Sequence, residues 1–219
     1  NNFRVEGAGL EARYAADYEL GIGCARCHGD GRLHAQYQAE HPDSAAQYIV
    51  NPAGLPRERQ LDNCALCHSG PRRLLKPPFS YQPGQVLDQF LVPTGAATDS
   101  STPDVHGDQI GLLARSKCFR ASPAMTCSTC HDVHREQRDP VAFAATCRSC
   151  HTSLKHPNAQ ALGDRLTSLC VDCHMPNEAS RGIQISNPTD STVLRFRSHR
   201  IAVYPAHATE LLRTTGPPR

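Results

Sequence analysis

The chain repeats one pentapeptide pattern five times: Cys24-Ala-Arg-Cys27-His28, Cys64-Ala-Leu-Cys67-His68, Cys127-Ser-Thr-Cys130-His131, Cys147-Arg-Ser-Cys150-His151 and Cys170-Val-Asp-Cys173-His174. Ten of the eleven cysteines are used in this way, and only Cys118 is left over. Two thiols separated by two residues and followed at once by an imidazole form the attachment signature of c-type haem. Each thiol bonds a vinyl group and the imidazole takes one axial position on the iron. Zinc knuckles have no need of a histidine after every cysteine pair, and a thioredoxin-like redox motif occurs once, on a strand-to-helix turn. The pattern therefore predicts five covalently attached haems c.

Holding five macrocycles in 219 residues leaves about 44 residues for each. Only 5% of the residues are aromatic and none is Trp, which is thin core material for this length. The porphyrins are expected to supply the missing interior. The predicted fold class is mostly α with much irregular structure, a core built from five stacked haems, and little or no β. From histidine to histidine the motifs are 40, 63, 20 and 23 residues apart. This spacing suggests an N-terminal two-haem segment with a proline-rich arm over residues 1–100 and a C-terminal three-haem segment over 101–219, in one continuous haem-wrapped domain.

Between the second and third motifs, residues 69–126 carry Pro71, Pro77, Pro78, Pro83, Pro93, Pro103 and Pro123, so this stretch cannot be one long helix. It reads as an extended arm lying over haem surface, with a disordered linker as the alternative. Within it, Gln85 to Leu91 could make one or two helical turns between Pro-Gly punctuation. Other helical signals are local, at residues 43–50, 105–119 and 166–174.

The formal charge is +2, from 20 Arg and 3 Lys against 21 acidic residues. Two propionates on each of five haems would carry the net value to about −8. Arginine's planar fork suits a carboxylate, so the arginines read as propionate partners and surface residues, and no nucleic-acid partner is expected. No apolar run is long enough to predict a transmembrane segment. The residues given show neither an initiating Met nor a signal peptide, which leads us to expect a processed mature chain. Haem is attached to thiols outside the cytoplasmic membrane, which predicts a periplasmic or extracellular (secreted) protein.

Each iron has a second axial position. Seven histidines remain after the motif residues His28, His68, His131, His151 and His174: His34, His41, His106, His134, His156, His199 and His207. Seven candidates for five positions permit bis-histidine ligation throughout, with a plain surface role as the alternative for each. If His131 and His134 lie on one helical turn, they point the same way. Axial ligands approach from opposite faces, so His134 would serve a neighbouring haem, and His34 and His156 would do so by the same logic. Met175 and Met125 are weaker rivals, each being next to or near a motif. Cys118 reads as a buried unpaired thiol, with an inter-subunit disulfide as the alternative.

Several longer strings strengthen the reading: "GIGCARCHGDGRLH", "NPAGLPRERQLDNCALCHSG", "SKCFRASPAMTCSTCHDVH", "CVDCHMP" and "SHRI". Together they resemble a family of bacterial multihaem c-type cytochromes with CHGPG..H, TCxxCHDPH, CHMP and DHRI motifs. Asp30, Val133 and Ser198 depart from its pattern, which has Pro, Pro and Asp there. The resemblance implies electron transfer, a mostly helical and irregular fold, and distal-ligand roles for His34, His134 and His199. The function expected is that of a pentahaem carrier passing single electrons between redox partner proteins, and not an enzyme. One alternative is a subunit of an extracellular polymeric filament, with copies of itself as partners. Another is a multihaem redox enzyme of nitrogen compounds, which the ligand surplus opposes, as does the absence of a motif ending in Lys76, Lys117 or Lys155.

Overall fold

Prolines, caps and single polar side chains mark the ends of several helices, because no helix among the described residues is long enough to hold itself together by propensity alone. The computed structural model describes residues 5–16, 21–94, 103–186 and 191–215. The chain divides into two compact units, Asn1–Leu66 with Arg72–Gly95, and Cys67–Pro71 with Ala96–Arg219. The described residues are mostly helical and irregular, with a few strands. Among them no helix is long and apolar enough to cross a membrane.

The first unit opens with a small antiparallel pair, β1 (Val5–Glu6) and β2 (Arg13–Tyr14). There follow α1 (Ala25–His28), α2 (Arg32–Glu40) and α3 (Arg57–His68), the last crossing into the second unit at its C-terminal end. Residues 43–50 do not form the expected helix. The Gln38 amide nitrogen lies 3.0, 3.0 and 3.2 Å from the carbonyl oxygens of His41, Pro42 and Ser44, which winds the chain into a loop. Tyr48 then takes a left-handed φ of 58° that no helix accommodates.

The proline-rich stretch is folded back and not extended. β3 (Arg72–Leu74) pairs antiparallel with β4 (Leu91–Pro93), and a 3-10 turn at Leu87–Gln89 is all the helix between them. Tyr81, Leu87 and Phe90 are buried and supply core to the first unit. They are anchored to α3 by polar contacts: the Tyr81 hydroxyl donates to Asn63 Oδ1 at 2.9 Å and the Leu87 amide to Asp62 Oδ2 at 3.2 Å. Burial pushes the Tyr81 phenol up to about 12. Residues 95–102 of the expected arm lie outside the described residues, as do residues 216–219 of the tail.

In the second unit, residues 105–119 give two short helices, α4 (Gln109–Ala114) and α5 (Lys117–Ala121). Asp108 caps α4 by accepting from the Gly111 amide at 2.9 Å, and a Cβ at Gly111 would collide with that carboxylate. Leu112 and Leu113 form the buried face. α6 (Pro140–Cys150) starts from an Asp139 cap with Pro at the first position, as helix starts favour. α7 (Ala159–Leu162), a 3-10 turn at Gly163–Thr167 and α8 (Cys170–His174) follow. α9 (Pro205–Thr215) closes the described chain.

One hairpin exceeds the expectation of little or no β. β5 (Asn177–Ser186) and β6 (Ser191–Arg197) pair antiparallel from Asn177↔Arg197 to Ser186↔Ser191, with a register shift between Ala179 and Gln184. Most of its residues are exposed, so neither face carries the apolar alternation that announces a strand. Asp104 holds the hairpin instead. Its carboxylate accepts from Ser180 Oγ at 2.9 Å, the Arg181 amide at 2.6 Å and the His106 amide at 2.9 Å. Burial alone would raise the Asp104 pKa, but these hydrogen bonds and the Arg181 charge outweigh it and hold it below the usual carboxylate value. The tether is therefore complete above the ordinary carboxylate range and is lost as pH falls through the lowered pKa. Asp104→Ala is expected to lower the amide protection factors of residues 177–186 and 191–197 at neutral pH by about tenfold or more, and wild-type protein is expected to lose the same protection only in acid, each factor being taken against the intrinsic exchange rate at that pH.

Candidate haem sites

Two cysteines three residues apart face the same side only where the backbone is tightly wound. Four of the five motifs lie at or beside an α-helix end: Cys24 precedes α1, α3 ends at His68, α6 at Cys150, and α8 is Cys170–His174 itself. The remaining one lies on a 3-10 turn, Cys127–Thr129, closed by reciprocal hydrogen bonds between Thr126 and Thr129. None of the eleven cysteines is in a disulfide, and Cys118 is part-buried. Burial raises the thiol pKa of Cys130, Cys147 and Cys173.

Two motif imidazoles, His28 and His174, are oriented by backbone carbonyls. His28 Nδ1 donates to Val50 O at 2.8 Å while the Val50 amide donates back to His28 O at 3.1 Å. Gly29 follows at φ 78° and ψ −168°, a conformation open to glycine alone, and turns the chain out of α1. His174 Nδ1 donates to Ala202 O at 2.8 Å. His131 packs edge-on to Phe143 with ring centres 5.3 Å apart. Burial, then nearby His68, lowers the His131 pKa. His151 is exposed.

Of the non-motif histidines, two stand against a motif imidazole. His199 faces His131 with ring centres 5.9 Å apart and planes 27° from parallel. Its Nδ1 is shielded from solvent, and a backbone contact with Arg197 acts on the ring against its burial. Burial first, and His131 second, push its pKa down to about 4. His156 faces His174 at 6.1 Å and 83°, and its Nδ1 accepts from the Asn158 amide at 3.1 Å. His34, on α2, donates from Nδ1 to Gln47 O at 2.9 Å.

The others are placed differently. His207 spends Nε2 on Asp172 O at 2.7 Å. His106 packs on Phe196 at 5.4 Å and His41 on Tyr37 at 4.7 Å. His131 and His134 do not share the helical turn that the sequence suggested, because the 3-10 turn ends before His131 and Asp132 folds the chain back. The Asp132 carboxylate accepts from the His134 amide at 3.1 Å, and the His134 side chain remains 74% exposed.

Sequence reasoning missed the residues that hold these rings in place. Val50, Gln47 and Ala202 act through backbone carbonyls, which carry no side-chain signal. Arg197 binds Val171 O and Met175 O at 2.9 Å each and the Asp172 carboxylate at 2.8 Å, fastening the end of α8 to β6. Ser116 and Ser198 are fully buried polar residues beside the loop that carries His199.

These residues fit haem. Metal-ligating imidazoles usually donate their second ring N–H to a carbonyl, as His28, His34 and His174 do here. A low pKa keeps His199 in the neutral form that a metal binds. Two imidazoles on opposite sides of one metal, each bonded at about 2 Å, have ring centres roughly 6 Å apart. Among the described residues no three His, Cys, Asp or Glu side chains converge as a site for a bare metal ion. Pockets of about 210 and 200 Å³ adjoin motif residues, the first lined by Arg26, Leu66, Phe79, Tyr81 and Phe90, the second by Cys130 and Phe143.

Comparison with known proteins points the same way. Residues 139–179, which span α6 to α8, match a family described as a doubled CXXCH motif. The chain is 26% identical over 185 residues to the C-type polyheme cytochrome OmcC of Geobacter sulfurreducens, an alignment covering 73% of this chain and 22% of that protein. The chain thus spans about a fifth of the length of that relative. No solved structure matches. The doubled motif indicates covalently bound haem c, and both similarities support a multihaem c-type cytochrome.

Proposed function

We propose that the chain carries five haems c, one on each Cys-x-x-Cys-His motif, and passes single electrons along them between redox partner proteins outside the cytoplasm. The observation that carries this reading is the meeting of a motif imidazole with a non-motif one at ligand-pair distance, twice, at 5.9 and 6.1 Å. An iron held on both faces has no position for a substrate, which favours a relay over an enzyme. Bis-histidine ligation also sets lower potentials than His/Met ligation.

The residues take distinct roles. Cys24 and Cys27, Cys64 and Cys67, Cys127 and Cys130, Cys147 and Cys150, and Cys170 and Cys173 tether the porphyrins. His199 completes the iron of His131. His156 completes that of His174, exchanging its Asn158 contact for the metal. His34, held through Nδ1 in the manner of His28 and His174, is a third distal ligand. His207 stays a structural hydrogen-bond donor to Asp172. Haem, when bound, supplies the electron-accepting iron; the chain orients imidazoles and shields the rings from water.

Intact mass and absorption of the protein matured with haem test this together. The expected result is a polypeptide carrying five covalent haems, all low-spin; colourless protein, or vacant positions on every iron, would overturn it. Ligand assignments are tested by carbon monoxide binding to the reduced protein. His199→Ala and His156→Ala are each expected to open one haem of the five to carbon monoxide, whereas His207→Ala leaves all of them closed, as in the wild type.

A further inference from the structure

We propose that Ser116 is a positioning residue for the His199 imidazole, an inference that rests on the reading of His199 as an iron ligand. Ser116 precedes α5 at the place where a serine hydroxyl usually caps the helix by accepting from a first-turn amide. It makes no such cap. The side chain is instead directed into the protein, 0% exposed, toward a segment 83 residues away. Its Oγ donates to His199 O at 3.1 Å and accepts from the Ile201 amide at 2.8 Å.

One hydroxyl thus closes the backbone on both sides of Arg200, using its single proton and one lone pair. The loop is fixed at its ends by backbone bonds, Ser198 N to Pro176 O at 2.9 Å and Ala202 N to His174 O at 3.2 Å. Ser116 supplies the fixing point between them, on the very residue that bears the imidazole. A metal ligand must be held within about 0.5 Å of its productive position. The carbonyl of His199 is a direct backbone handle on the ring's placement, since it belongs to the residue that bears the imidazole.

The test uses the fully matured protein, with carbon monoxide as the probe. Electron paramagnetic resonance reports the ligation of individual irons. Ser116→Ala is expected to retain all five haems by intact mass but to let carbon monoxide displace a ligand from one of them roughly tenfold faster than in wild type, with the low-spin signal of that one haem altered. Ser116→Thr and Ser116→Val form a matched pair of equal shape that differ only in the hydroxyl, so a packing defect would be common to both. Thr is expected to resemble wild type and Val to resemble Ala. If Thr and Val behave alike, or if Ala resists carbon monoxide as wild type does, Ser116 does not position the ligand. His199→Ala separates this failure from that of the underlying reading: if it opens no haem, His199 is not a ligand at all.

Discussion

A flat ring bonded to two thiols and one imidazole from the same five residues can be held only by a tightly wound backbone. That demand shapes the whole chain. It is met by four α-helix ends and one 3-10 turn. Much of the apolar core comes from between the second and third motifs, where Tyr81, Leu87, Phe90, Leu112, Leu113 and Phe119 are buried.

With few large apolar side chains to bury, order in the loops comes from single polar side chains that each satisfy several backbone groups. Gln38 gathers three carbonyls, Asp104 two amides and a hydroxyl, Arg197 two carbonyls and a carboxylate, and Ser116 one carbonyl and one amide. Buried backbone groups without partners are costly, so such contacts determine where a loop can lie. They do so at low cost in sequence, one residue for each loop. The proposed haem-bound state would favour this economy, since bulky side chains would compete with porphyrin for the same interior.

Legibility in the sequence followed the same division. The cysteine and histidine spacing points to the candidate attachment sites, because that chemistry is strictly local. The short helices at 105–119 and 166–174 were also readable, from caps and apolar spacing. α6 could have been placed from Asp139-Pro140, a cap followed by proline at the first position. The hairpin of β5 and β6 could not be read by alternation, since its strands bury neither face and depend on Asp104, some 75 residues earlier. The positions of His199 and His156 were beyond sequence reading for a similar reason: each is set by contacts with residues distant in the chain or by backbone atoms. The turn at His134 was not legible either, because a three-residue step suggested a helix where Asp132 instead makes a turn.

The segment Ser198–Ala202 joins two of the sites. His199 meets His131, while the Ala202 carbonyl orients His174, and both ends are bonded to the residues around α8. Only two residues separate these contacts, so neither can be adjusted without moving the other. An amino acid inserted or deleted here would throw two imidazoles out of register at once. The chain's length cannot drift at this point, however freely it varies in the turns elsewhere.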